Sequence, residues 1–182
     1  MALNILNSDK MIKIFKATLD HVEILAPLSV EAFIPAHGHS SPKKDIEDYI
    51  ARNFSIENFK KELTNPAFEY YLIYFKNKAV GFSKVIFNIP HENVSSKNVT
   101  KMERLYILKE CYGLNLGAKL MQFNIELALK NSQEGIWLEV WVENARAIKF
   151  YTKMGFEIIG RYDFKVSETH SNPNHVMYLP SK

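Results

Sequence analysis

One stretch, Lys101 to Met154, constrains the fold of this chain more than any other, because its hydrophobic pattern changes type three times. Lys101–Leu108 reads as a strand, and about Leu116–Lys130 as a long helix. Ile136–Val142, rich in aromatic and β-branched residues, reads as a second strand, and Ala145–Met154 as a second helix. A helix between two strands returns the chain to the same end of the sheet, so the two strands run parallel.

The flanking sequence predicts antiparallel neighbours for that pair. Ile12–Ala17 is a short strand, and Asp20 caps a first helix running through Phe33, on which Val22, Leu25, Leu28 and Ala32 recur at helical spacing. Pro27 lies inside it as a source of a kink. Residues 34–41 read as an exposed loop. Ser41-Pro42 opens a second helix, and Ser55 caps a third, Ile56–Leu63, which stops at Asn65-Pro66. Phe68–Phe75 and Ala79–Phe87 form a hairpin turned at Asn77-Lys78, followed by a polar connection over 89–100. Strands near Phe156–Val166 and His175–Leu179 close the chain. The expected class is α/β (an α+β mixed sheet).

A chain of 182 residues fits one domain spanning 1–182, large enough to bury roughly 70% of its unfolded surface. Cys111 is the only cysteine, which excludes an intrachain disulfide and points to a reducing compartment. The start, Met1–Lys10, is polar and no apolar run approaches the ~20 residues of a membrane span, so a cytoplasmic protein without a membrane partner is expected. The 23 basic residues are scattered and the net charge is only +3, which argues against nucleic acid and remains compatible with phosphate-bearing ligands.

Two segments carry chemistry. Tyr112-Gly113-Leu114-Asn115-Leu116-Gly117-Ala118 directly follows a strand and opens a helix. Gly113, Asn115 and Gly117 tolerate left-handed or cramped backbone, and such a turn aims N–H groups at one point beside the positive end of a helix dipole, a ready pyrophosphate site. The same turn also serves purely structural roles. The second segment runs from Asn144, a helix cap, to Gly155, a helix terminator. Ala147, Phe150, Tyr151 and Met154 share one face. Core packing accounts for most of that face, but a buried Tyr151 hydroxyl needs a partner.

Residues 103–118 (ERLYILKECYGLNLGA) and 137–156 (WLEVWVENARAIKFYTKMGF) together resemble the two signature motifs of the GNAT N-acetyltransferase superfamily, in the family's order and separation. The whole chain further resembles bacterial PaiA-type spermidine/spermine N-acetyltransferases. The resemblance implies a GNAT fold of about seven strands and four to five helices, with the central parallel pair splayed around acetyl-CoA. It implies that the backbone at Leu105, Tyr106 and Ile107 pairs with the pantetheine arm, and that the turn from Tyr112 through Gly113, Leu114, Asn115, Leu116, Gly117 and Ala118 holds the pyrophosphate. Asn144, Phe150 and Lys153 complete the cofactor contacts, and Tyr151 stands beside the thioester sulfur. Two positions depart from the family pattern: Tyr112 replaces a Gln or Arg, and Asn115 replaces a glycine, for which Asn is the best substitute at positive φ.

The implied reaction is direct acetyl transfer to a small primary amine, a polyamine among the candidates, with acetyl-CoA as cosubstrate and no metal. A homodimer is left open by the resemblance. Freeing an alkyl ammonium of its proton at pH 7 costs about 4.6 kcal/mol, so a base is useful; Glu103 and Glu139, one on each central strand, are the candidates, with a salt bridge to Arg104, Arg146 or Lys101 as the alternative for each. Tyr151 is the candidate acid for the leaving thiolate. Asp45, Glu47, Asp48, Glu57 and Glu62, between residues 42 and 63, are the acids available to meet a polycation, while exposed ion pairs among the neighbouring lysines are the alternative. His37 and His39 are too few for a metal site and read as a substrate-side loop. Cys111 is read as structural. A peptide N-terminal acetyltransferase and a non-catalytic acyl-CoA-binding module are the competing functions.

Overall fold

The computed structural model describes residues 11–181; the polar start Met1–Lys10 lies outside the described residues. In chain order the elements are β1 (Ile12–Lys16), α1 (Val22–His37), α2 (Lys43–Asn53), α3 (Ile56–Thr64), β2 (Glu69–Phe75), β3 (Lys78–Ile86), β4 (Thr100–Ile107), α4 (Leu116–Lys130), β5 (Gly135–Trp141), α5 (Ala145–Lys153), β6 (Glu157–Lys165) and β7 (Ser171–Pro180). The seven strands form one sheet in the order β1-β2-β3-β4-β5-β7-β6. As the helix between them requires, β4 and β5 run parallel, and every other neighbouring pair is antiparallel.

Helix α4 packs on β3, β4 and β5, and α1 on β3 and β4. Leu25, Phe59, Phe82, Leu116, Leu120, Met121, Leu138 and Met177 belong to the one large core they enclose. A smaller cluster of Val99, Trp137 and Val176 lies under the polar 89–100 connection, where Trp137 Nε1 donates to the Ile89 carbonyl at 2.7 Å. No described helix is long and apolar enough to cross a membrane.

The central pair does not stay together. β4 is registered with β3 from Lys101↔Ile86 to Ile107↔Gly81, but with β5 only at Thr100↔Ile136 and Lys101↔Trp137. The cause lies one step further along β4. Val85 faces Met102 and Lys84 faces Arg104, so Glu103 is the additional residue of a β-bulge. A bulge bends and twists its strand, and here it turns β4 away from β5 and leaves that edge of β4 without a ladder partner.

Several local expectations shift. α1 runs four residues past Phe33, through Pro35 to His37, because the Phe33 and His37 rings stack at i, i+4 (centroids 4.9 Å apart). Its start is organised by Thr18 rather than Asp20: the Thr18 N–H donates to His21 Nδ1 (3.0 Å) across a short 3₁₀ turn. Ser41 does not cap α2, since Pro42 holds the cap position and Ser41 Oγ accepts a bond from Asn172 instead. Ser55 does cap α3, accepting from the Asn58 N–H at 3.2 Å. The β2–β3 turn is Lys76-Asn77, both at positive φ (52° and 62°), one residue earlier than expected. β7 begins at Ser171 rather than His175: Asn172 and Asn174 are poor strand formers locally but pair in register with Phe164 and Tyr162.

Candidate active site

Where β4 and β5 part, a cavity of about 880 Å³ opens, lined by both strands, the 112–118 turn, α5, the C-terminal end of α1, α2 and the β6–β7 hairpin. Leu105, Tyr106 and Ile107 line it along the unpaired edge of β4. The turn beyond them carries two left-handed residues, Gly113 (φ 81°) and Asn115 (φ 61°), so asparagine does take the conformation usually left to glycine. Asn115 then stands at the cap position of α4. The open N-terminus of that helix presents N–H groups into the same cavity, an arrangement suited to an anion. Gly117 lies in the first turn of α4, where a Cβ would meet Phe150 and Ile107 only at ordinary contact distance. Leu114 is exposed at the tip of the turn and does not line the cavity.

Across the cleft, Asn144 caps α5 by accepting from the Ala147 N–H (3.1 Å), and Phe150, Tyr151 and Lys153 reach the cavity from that helix. Tyr151 packs on Phe156, and burial pushes its hydroxyl up to about 12 against the opposing effect of Arg146. Arg146, which the sequence offers as an ion-pair partner for Glu103 or Glu139, engages Tyr112 instead. Its guanidinium lies 3.6 Å over the Tyr112 ring and donates to the Tyr112 hydroxyl at 2.8 Å, so a cation stands beside the turn although Tyr112 itself brings none. Burial, and then Glu110, push the Cys111 thiol up, which keeps it protonated.

A model of the acetyltransferase (GNAT) family matches residues 30–156, from inside α1 to the end of the Tyr151 helix. The chain belongs to the GNAT acetyltransferase family. Among curated relatives, an uncharacterized N-acetyltransferase in the pepI 3′ region of Lactobacillus delbrueckii subsp. lactis is 21% identical over 157 residues, covering 86% of this chain and 91% of that protein. A probable spermine N(1)-acetyltransferase of Bacillus subtilis subsp. natto is 27% identical over 93 residues, covering 50% of this chain and 61% of that protein. Among solved structures, the PaiA N-acetyltransferase of Thermoplasma acidophilum in complex with coenzyme A superimposes with a TM-score of 0.74 at 20% identity, over 93% of this chain and 98% of that one. The bulged β4 and the splayed parallel pair are thus this chain's version of the GNAT sheet.

Within that GNAT frame the two candidate bases both line the cavity just beyond the last paired residues of the two strands, Lys101 and Trp137. Each is already held by a cation: Glu139 Oε1 by Lys101 (3.2 Å), and Glu103 Oε1 by Lys84 (2.8 Å) with Arg104 at 3.9 Å. Lys84 and Arg104 are buried and belong to a larger network. Glu62 pairs with both (3.1 and 3.6 Å), the Tyr70 hydroxyl donates to Glu62, and Arg104 donates to the Tyr70 oxygen at 2.8 Å. Burial alone would raise the Glu62 carboxyl, but Arg104, Tyr70 and Lys84 together hold it below the usual carboxylate range.

The acids available to meet a polycation sit outside the cavity, and two of them form the exposed ion pairs that were the alternative. Glu62 is spent inside this network, and Glu47 and Asp48 pair with Lys43 and Lys44 on the exposed side of α2 (3.7 and 2.9 Å); none of these, nor Asp45 or Glu57, lines the cavity. Much of the cavity wall is instead built from rings: Phe33, Tyr49, Tyr106, Trp141, Phe164 and His37. His37 and His39 do not form a free loop. Their rings lie 6.3 and 5.3 Å from Trp141, and His37 is lowered to about 4 by burial, then by His39 and Arg146, so it is a neutral imidazole at pH 7. An i, i+4 Phe33/His37 spacing on a helix was the available signal for this placement, hidden because the helix was expected to stop at Phe33.

Proposed function

We propose that this GNAT enzyme transfers the acetyl group of acetyl-CoA directly to a small primary amine. The observation that supports it most is the junction, in one cavity, of an unpaired strand edge (Leu105 to Ile107) with an open helix N-terminus (Asn115 to Ala118). The first fits an amide-bearing arm added like a strand, and the second fits a pyrophosphate. Tyr112 through Ala118, with Arg146 over Tyr112, would hold the phosphates. Leu105, Tyr106, Ile107, Asn144, Phe150 and Lys153 would hold the arm between the strands. When bound, acetyl-CoA supplies the acyl group activated as a thioester.

The protein's own groups divide the proton work. Glu139 and Glu103 each engage a cation through Oε1, which leaves Oε2 to take the ammonium proton, directly or through water. Tyr151 keeps its proton at neutral pH. Passing that proton fully to a thiolate of pKa ~8.5 would be uphill by roughly 3.5 pH units, about 4.8 kcal/mol, so Tyr151 stabilises the departing sulfur as a hydrogen-bond donor. The proton that finally rests on sulfur then comes from the amine. Polyamines are one class of acceptor, a reading supported by the name of the Bacillus subtilis relative and by the PaiA likeness.

Thiol release from acetyl-CoA, followed with a panel of amines and with mass detection of the acetylated product, tests the proposal. Release that depends on an added amine is expected. Tight coenzyme A binding with no release for any amine would sink it in favour of a non-catalytic acyl-CoA-binding module, and release with only a short peptide would favour N-terminal acetylation.

A further inference from the structure

Three side chains on the cavity wall carry polar groups that nothing in the protein answers, and they stand in one row. His37 at the end of α1, Tyr106 on β4 and Tyr151 on α5 all line the cavity. Among the described residues none hydrogen-bonds to the His37 ring nitrogens, the Tyr106 hydroxyl or the Tyr151 hydroxyl. The described partnerless side-chain atoms that are fully shut away are Asn174 Oδ1 and His175 Nδ1, so the groups of this row stay open to a ligand. Native structures seldom keep such groups unmet unless water or a ligand meets them. The His37 and Tyr106 rings meet edge to face with centroids 6.1 Å apart, and Tyr106 is near enough to Tyr151 for the two hydroxyls to interact electrostatically. Phe33 stacks on His37 at 4.9 Å and holds its ring in place.

The members of the row offer different things. Burial raises both hydroxyls, Tyr106 with a further push from Tyr49, so each presents an O–H at pH 7. Burial, then His39 and Arg146, keep His37 uncharged, so its ring carries one N–H and one bare nitrogen. The thioester brings only acceptors, a carbonyl oxygen and a sulfur, which an O–H such as that of Tyr151 meets. The amine is the reactant that brings N–H donors for a bare nitrogen. It attacks with its lone pair, so the protein can orient it only through those N–H bonds. A carboxylate in this place would favour the ammonium, whose lone pair is already taken by a proton; an uncharged imidazole holds the amine without that bias. Glu103 and Glu139 thus suit removal of the proton, and His37 suits holding the amine that results. Trp141, 6.3 Å from His37, and Phe33 give the carbon attached to that amine apolar faces to pack on.

We infer that His37 is an acceptor-binding residue of this enzyme, its imidazole taking an N–H of the incoming primary amine on the row of polar groups that runs through Tyr106 to Tyr151. This rests on the N-acetyltransferase reading above. The test measures thiol release with spermidine, 2-phenylethylamine and a short peptide with a free N-terminal alanine, on the full chain and on three variants. His37→Phe, which keeps a ring against Phe33, and His37→Leu both remove the nitrogens. Each is expected to raise the KM about tenfold for every one of these amines that the native chain uses, with the KM for acetyl-CoA unchanged. His37→Gln restores an uncharged acceptor and donor, and is expected to bring the amine KM back to within threefold of the native value. Thermal melting of each variant separates a lost contact from a lost fold. An unaltered amine KM in a folded His37→Phe or His37→Leu, an equal loss in His37→Gln, or a rise in the acetyl-CoA KM instead would overturn this inference while leaving the acetyltransferase reading intact. Absence of thiol release with every amine, the native chain included, would remove both.

Discussion

The two ends of the cleft are built from different materials. At the cofactor end the working atoms belong to the backbone: the unpaired edge of β4, the left-handed turn at Gly113 and Asn115, and the open start of α4. At the end proposed for the acceptor they belong to side chains from elements far apart in the chain: His37 on α1, Trp141 on β5, Asn174 on β7 and the network of the buried Lys84 and Arg104 with Glu62 and Glu103. Backbone groups are the same in every residue, so the cofactor end depends on local conformation. Side-chain groups must be brought together by the whole fold, so the acceptor end depends on packing and charge balance and is the freer of the two to change.

Disturbing each end should therefore give a different signature. The largest effect is expected from Lys84→Met, which removes a buried cation and leaves the half-buried Glu62 and the more exposed Glu103 with Arg104 as their remaining shared cation. The chain should lose about 3 kcal/mol of stability in urea unfolding. A loss below 1 kcal/mol would mean that the network does not support the acceptor wall.

Tyr151→Phe comes next. It removes a donor without disturbing the ring packing on Phe156, and kcat should fall about 10²-fold, roughly 2.7 kcal/mol, with the KM for acetyl-CoA unchanged. An unchanged kcat would remove Tyr151 from the chemistry.

The third effect is a pH dependence. In the folded chain His37 titrates near 4, against 6.5 for the free side chain, because burial, His39 and Arg146 oppose its charge. The unfolded chain thus binds more protons between those values. Stability is full above about pH 6.5 and falls as the pH drops toward 4, by about 2 kcal/mol once solvent exposure of the half-buried ring is allowed for. Melting curves across that window should be flatter for His37→Gln; identical slopes would show that other groups control the acid side.

The smallest expected change lies at the cofactor end. Asn115→Ala places a Cβ-bearing residue without a local polar side chain at φ 61°, at a cost of about 1 kcal/mol, and should weaken coenzyme A binding about fivefold by calorimetry. Asn115→Gly should bind like the native chain. If both variants weaken binding equally, the Asn115 side chain itself contacts the ligand.

The strand and helix periods between residues 101 and 154 were enough to require the parallel pair, and the Gly113/Asn115 and Asn144/Gly155 punctuation marked the turn and the second helix, because each depends on residues within a few positions of one another. Arg146 over Tyr112 was not legible, since the two are 34 positions apart and meet only when the β5–α5 junction folds against the turn. Nor was the nearer partner of Glu103: Arg104 was an available cation in sequence, but Lys84 lies across a β-bulge whose register appears in neither strand alone. Asn172 and Asn174 fell outside the strand expected from His175 because asparagine is a poor strand former, and the pairing with β6 overrides that preference.

Local pattern by itself thus determined the order of elements, the parallel centre of the sheet and the left-handed turn at Gly113 and Asn115, because backbone conformation follows from neighbouring residues. Only the tertiary structure decided where β4 and β5 separate, which carboxylates are already neutralised and which polar groups of the cavity wall are left without a partner. Those outcomes depend on charges and hydrogen bonds between residues tens of positions apart, which no local pattern carries.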